Sequence, residues 1–244
     1  MQHAILLTLL FTTFTTRADS IAPETFFNSV IARMQTATSQ LRDTTYTFHK
    51  QEYADGHQQP IEHITVKYRA PNDIYMKWLE PIHRGRELLF RSGWNDEQLR
   101  ISPGRWLPTL NLDPHGRLAM RGNRHSIHQL PFPAIVANFA DSAALIRANP
   151  ALQAPITDLG EQRHFGETGH CYQLRLPKDR EPGLYAAEVM LCVSLRTGLP
   201  LRIRSWDEVK GRLRQVEDYG YKDVQVNVGL SDRDFDPDNP DYNF

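Results

Sequence analysis

Cationic and imidazole side chains crowd one stretch, Leu110 to His128. It carries Arg117, Arg121 and Arg124 together with His115, His125 and His128. Asp113, Pro114, Gly116, Gly122 and Asn123 are spaced between them. Two chemistries fit. Guanidinium groups pair with phosphate or carboxylate in a bidentate manner, so the arginines can hold an anionic head group. Three histidines with Asp113 can ligate a metal, and His125-x-x-His128 has a usable spacing on a helical turn. A structural alternative stands beside both: Arg121 or Arg124 pairs with Asp113 or with loop carbonyls and fixes a long loop. The stretch is too rich in turn formers for regular structure and too charged for a core. A long ordered loop in a compact domain is usually functional.

Catalytic motifs are missing from the chain. No H-E-x-x-H, G-x-S-x-G or Walker sequence occurs, and nothing pairs Glu80, Glu87 or Glu97 as acids. The reading is therefore a binding protein without catalytic residues, metal or cofactor. A metal-dependent enzyme built on the histidines is the lesser alternative.

The elements that must position this loop follow from periodicity. Pro23 to Leu41 repeats apolar residues at three and four and predicts a helix, as does Phe132 to Ala148. Alternating runs predict strands over 44–53, 61–69, 73–79, 86–91 and 98–101. After the second helix they follow over 156–165, 170–176, 186–195, 199–208 and 212–221, with a last short strand at Val224, Val226 and Val228. Tight turns join neighbouring strands, which means an antiparallel meander. The fold class is α+β: one curved antiparallel sheet with two helices on its concave face. Tyr46, Phe48, Ile64, Val66, Tyr68, Tyr75, Trp78, Leu88 and Phe90 are candidates for the lining of that face, with ordinary core as the alternative. Within this set Tyr68, Tyr75 and Trp78 join Arg117, Arg121, Asn123, Arg124 and His125 as candidate ligand-binding residues.

Cys171 and Cys192 fall in two strands that fold about residues 181 and 182. Such a hairpin sets them opposite each other, within disulfide reach. The bond would close a loop of about 20 residues and contribute about 3 kcal/mol in the chain-entropy model. It requires an oxidising compartment. Met1 to Ala18 reads as a secretory signal, with the short apolar run Ala4 to Phe11 and a small-x-small site at Thr16-Arg17-Ala18. The expectation is a periplasmic protein with one domain over residues 19–244. Net charge is −1, so nothing in bulk draws the chain to nucleic acid. Arg202, Arg204, Arg212 and Arg214 alternate on adjacent strands and read as a solvated face. Trp94 and Trp106 are candidate contact points for an envelope partner, against the favoured reading of Trp106 as an anchor that packs its loop down.

Leu112-Asp113-Pro114, Gly116 and Ala119-Met120-Arg121-Gly122-Asn123-Arg124-His125 resemble the central motif of the bacterial DUF1571 proteins. Lys67-Tyr68-Arg69-x-Pro71, Tyr75-Met76-Lys77-Trp78-Leu79 and Gly85-Arg86-Glu87 extend the likeness. So do Tyr219-x-Tyr221-x-Asp223-Val224 and Asp234-Phe235-Asp236. The likeness covers essentially the whole chain after the signal. It implies a protein of unknown function with the fold of the lipoprotein carriers LolA and LolB, an unclosed antiparallel barrel whose helices plug an apolar cavity. The implied partner is an apolar or acylated small molecule or lipid. A structural or partner-binding role at the cell envelope is the alternative.

Overall fold

The computed structural model describes residues 19–79, 81–104 and 107–244. The expected signal sequence, Glu80 and Trp106 lie outside the described residues. Thirteen strands form one sheet. They are β1 (Asp19–Ile21), β2 (Asp43–Ala54), β3 (His57–Gln58), β4 (Glu62–Arg69), β5 (Asp73–Trp78), β6 (Glu87–Phe90), β7 (Leu99–Ser102) and β8 (Leu110–Leu112). After the second helix come β9 (Ile156–His164), β10 (Glu167–Arg175), β11 (Glu188–Ser194), β12 (Pro200–Val209) and β13 (Arg212–Val226). Their spatial order is β1-β9-β10-β11-β12-β13-β2-β4-β5-β6-β7-β8, with β3 on β2 alone. Every pairing is antiparallel. β1 and β8 stand at opposite edges and do not meet, so the barrel is unclosed.

Two meanders therefore join along one seam, where the last strand β13 lies beside the first long strand β2. Along that seam Tyr221 faces Phe48, Tyr219 faces Lys50 and Glu217 faces Glu52. β13 runs on through Val226, past a register shift between Lys222 and Gln225. The separate short strand expected at Val224–Val228 is thus the continuation of β13, because a bulge breaks the alternation without ending the pairing.

The first helix is α-helical over Pro23–Phe26 and Ala32–Ser39, with a π-helical turn, Phe27–Ile31, between. It buries Phe26, Phe27, Val30, Ile31 and Met34. The second, Phe132–Ala148, has the expected bounds and buries Ile135, Val136, Phe139, Ala143 and Ile146. Both pack into the core on the concave face, the first against β10, with Phe26 at 5.1 Å from the Tyr172 ring, and the second against β2 and β13. Phe132 packs at 5.1 Å from the Tyr46 ring and 4.6 Å from that of Tyr221. The helices fill their part of the hollow, where gaps of about 10 Å³ lie beneath them.

Three features cover the outer face. Cys171 and Cys192 are opposed in register on β10 and β11 and joined by a disulfide, packed with Met190 and Leu201. The β9–β10 hairpin folds Phe165 over the sheet, and a Cβ at Gly220 would come within 2.2 Å of its ring, so only glycine leaves room. The segment after β13 lays Phe235, Tyr242 and Phe244 against Tyr75 and Leu89. Tyr75 stacks on Tyr242 at 4.0 Å.

That last contact corrects one expectation. Ile74, Met76 and Trp78 face the hollow, so alternation along β5 sends Tyr75 to the other side. Tyr75 and Trp78, three residues apart in a strand, cannot share a face, and Tyr75 leaves the set of lining residues.

Candidate functional site

The Arg- and His-bearing stretch is a roof that crosses from the free edge of the sheet to the β2–β13 seam. It begins as β8, an edge strand over Leu110–Leu112 where a loop was expected. Asp113 Oδ1 accepts the His115 amide at 2.8 Å, turning the chain into a single helical turn, Arg117–Met120. Gly122 then adopts φ +73°, and its N–H donates to Asp55 Oδ2 at 2.8 Å, tying the roof to the β2–β3 turn.

Beyond Gly122 the roof is pinned to buried charge. Lys50 Nζ donates to Asn123 Oδ1 at 2.8 Å and lies 3.0 Å from Glu62 and 3.3 Å from Glu52. The Arg124 amide donates to Glu52 Oε2 at 2.9 Å, and its guanidinium Nε donates to Glu217 Oε1 at 3.0 Å. His125 Nε2 is 2.7 Å from the same oxygen. Tyr185 donates to Glu217 Oε2 at 2.6 Å, and Tyr219 donates to Glu52. Glu52 and Glu217 are thus like charges directly opposite each other on neighbouring strands, an arrangement that is destabilising when unpartnered. Asn123-Arg124-His125 supplies the partners. Burial raises the Glu217 carboxyl, but His125, Tyr185 and Arg124 outweigh it and hold it down to about 2.

Arg124 and His125 therefore hold the roof in place through Glu217, neither through Asp113 nor through loop carbonyls. His128 turns elsewhere: its Nδ1 is 2.9 Å from Asn72 Nδ2 and its ring meets Phe90. His125 and His128, the proposed ligand pair, thus serve different partners. The group of side chains among the described residues with metal-like spacing is His164, Cys171 and Cys192, whose sulfurs are already joined to each other.

Under the roof lies a hollow of about 780 Å³. Leu88, Leu99, Ile101, Leu110, Leu112, Leu118 and Ala119 form its apolar wall; Trp78, His57, His83, Arg86, Arg121 and Asn123 complete it. It shares Trp78, Leu88, Leu99, Ala119 and Asn123 with a narrower recess of about 50 Å³ that reaches Ile64, Met76 and Lys50. Trp78 is fixed by donating its Nε1–H to Glu62 at 2.8 Å.

Of the residues singled out in the sequence, Trp78, Arg121 and Asn123 meet in this wall. Arg117 is exposed and outside it. Tyr68 is buried with its hydroxyl on Pro71 O, beneath the part of the sheet that the helices cover. Of the expected lining, Trp78 and Leu88 reach the hollow and Ile64 the recess. Sequence reasoning missed Lys50, Glu52, Glu217, Arg86 and His83. The signal for two of them was present, since Lys50 and Glu52 continue the inward alternation of Tyr46 and Phe48. Arg202 and Arg204, read as solvated, both contact Asp218, at 2.8 and 3.2 Å.

Fold and site together define an unclosed antiparallel half-barrel with a roofed hollow of mixed apolar and polar lining at its free edge. The chain belongs to the DUF1571 family, "Protein of unknown function (DUF1571)", whose model matches residues 41–244. No curated protein matches it. Solved structures that resemble it include Mycobacterium tuberculosis lipoprotein LppX, at 11% identity and TM-score 0.47, covering 84% of this chain and 98% of that one. LprF from Mycobacterium bovis stands at 9% identity and TM-score 0.47, covering 87% and 97%. A LolA superfamily protein, NE2245 from Nitrosomonas europaea, stands at 12% and 0.36, covering 86% and 96%. Likeness at this level says nothing of a ligand.

Proposed function

We propose that this protein binds an apolar or acylated small molecule, non-catalytically, in the hollow beneath the Arg117–His125 roof. The observation that carries this reading is the hollow itself. Its volume of about 780 Å³ is that of small-molecule sites, roughly 300–1,000 Å³, and its wall joins a run of aliphatic side chains to a comparable set of polar and charged ones. Leaving such a wall to water is unfavourable by about 25 cal/mol per Å² of apolar surface, which a ligand would recover. The roof is held by Glu52, Glu62 and Glu217 through Asn123, Arg124 and Lys50, so the opening is built into the fold. The Cys171–Cys192 bond forms in an oxidising compartment, and with the expected signal sequence this supports work in the periplasm.

The test is uptake of phenylnaphthylamine, a neutral apolar dye that fluoresces when shielded from water. The wild-type protein saturates at one dye per chain. Ala119→Trp, which fills the space between hollow and recess, removes the signal while keeping the fold by circular dichroism. No saturable uptake by the wild type, or full uptake by Ala119→Trp, would refute the reading.

A further inference from the structure

The wall of the hollow is of mixed character. Besides its leucines it holds Arg86 and Arg121, with His57 and His83. The carboxylate in this wall among the described residues is Asp55, and the Gly122 amide already binds it. Glu62 lies behind Trp78, and its two oxygens are engaged by Trp78 Nε1 and Lys50 Nζ.

Arg86 is the informative member. Its guanidinium lies 5.6 Å from the centroid of the Trp78 ring, which Glu62 holds still. Among the described residues nothing hydrogen-bonds to that guanidinium. Arg69, Arg124 and Arg202, also partly buried, each hold a carboxylate at 2.6–3.0 Å. Burial lowers the Arg86 pKa, and the nearby Glu62 only offsets this in part. A partly buried cation with five donors facing a hollow is a site short of negative charge. Arg121, exposed on the roof and with a guanidinium that makes no hydrogen bond or ion pair among the described residues, borders the same space.

We infer that the ligand of the hollow is an amphipathic anion, an acyl chain ending in a carboxylate or a phosphate, whose charged end is received by Arg86 and Arg121 while its chain lies on Leu88, Leu99 and Leu112. This deepens the reading above and rests on it. The indole of Trp78 joins the charged and apolar parts of the wall, with Arg86 over its ring and Leu88 beside it in the lining.

The experiment displaces phenylnaphthylamine from the full chain at neutral pH with four amphiphiles of one chain length: hexadecanoate, hexadecyl phosphate, hexadecanol and hexadecyltrimethylammonium. The wild type is expected to release dye to at least one anion at about tenfold lower concentration than to the alcohol, the gain of a charge-assisted hydrogen bond, and least readily to the cation. Hexadecanoate against hexadecyl phosphate separates the two head groups. Arg86→Gln with Arg121→Gln should abolish the preference, with each displacement read relative to that variant's own dye affinity; Arg86→Lys should retain part of it. Should the double variant misfold, Arg121→Gln alone, at an exposed position, must reduce the preference. Equal displacement by anion and alcohol, or a preference that survives both substitutions, overturns the inference while the dye still reports the hollow. If the wild type takes up neither dye nor any amphiphile by calorimetry, the binding reading falls with it.

Discussion

Arg121 and Arg124 sit three residues apart and look interchangeable in the sequence, yet they do opposite work. Arg124 donates to Glu217, whose side chain is 1% exposed; Arg121 lies exposed beside the hollow. Arg124→Ala leaves a buried carboxylate short of a partner and should cost about 3 kcal/mol or more in urea denaturation. Arg121→Ala should stay within about 0.5 kcal/mol. Glu217 adds a pH signature. Its carboxyl is held at about 2 when folded against an ordinary 4.5, so the folded state binds fewer protons there than the unfolded state. That stabilisation is complete above about pH 4.5 and is lost as pH falls toward 2. Urea midpoints of Glu217→Gln should therefore vary less over that window than those of the wild type, whatever the variant loses at neutral pH. Tyr75 provides a contrast on the other face: Tyr75→Ala removes the stack on Tyr242 and should cost about 3 kcal/mol without changing dye uptake.

Among elements, most of the longer strands and the Phe132–Ala148 helix were legible because their apolar periodicity is uninterrupted, whereas the two- and three-residue strands β1 and β3 are too short to show one. β13 was not, since its register shift splits one strand into two apparent runs. β8 was hidden by its place in a Pro- and Gly-rich stretch. The inward charges were hardest to see. Lys50, Glu52 and Glu217 occupy strand positions where charge ordinarily means solvent, and what makes them internal is the roof, a contact distant in sequence. Trp78 and Arg121 were identified from type and neighbourhood; Arg86 needed the fold. The opposed cysteines were legible from hairpin symmetry alone, and the bond they form lies on the outer face, away from the hollow. Replacing both with serine should lower stability by about 3 kcal/mol and leave the affinity for the dye unaltered.

At the scale of the whole molecule, the helices and the roof divide one concave face between them. Over Tyr46, Phe48, Tyr219 and Tyr221 the face is packed solid. Toward the free edge, where Trp78, Leu88, Leu99, Ile101, Leu110 and Leu112 stand, the roof spans it and leaves it open. This division explains how one sheet has both a stable core and an internal space: the aromatic seam supplies cohesion, and the edge strands need only shape the cavity. Native mass spectrometry of the protein purified from cells that make it tests this account most directly. It should show a population heavier than the polypeptide by one small acylated or otherwise apolar molecule, absent from Ala119→Trp isolated in the same way. The bare polypeptide mass in every preparation, from a protein that also takes up no amphiphile, would contradict it.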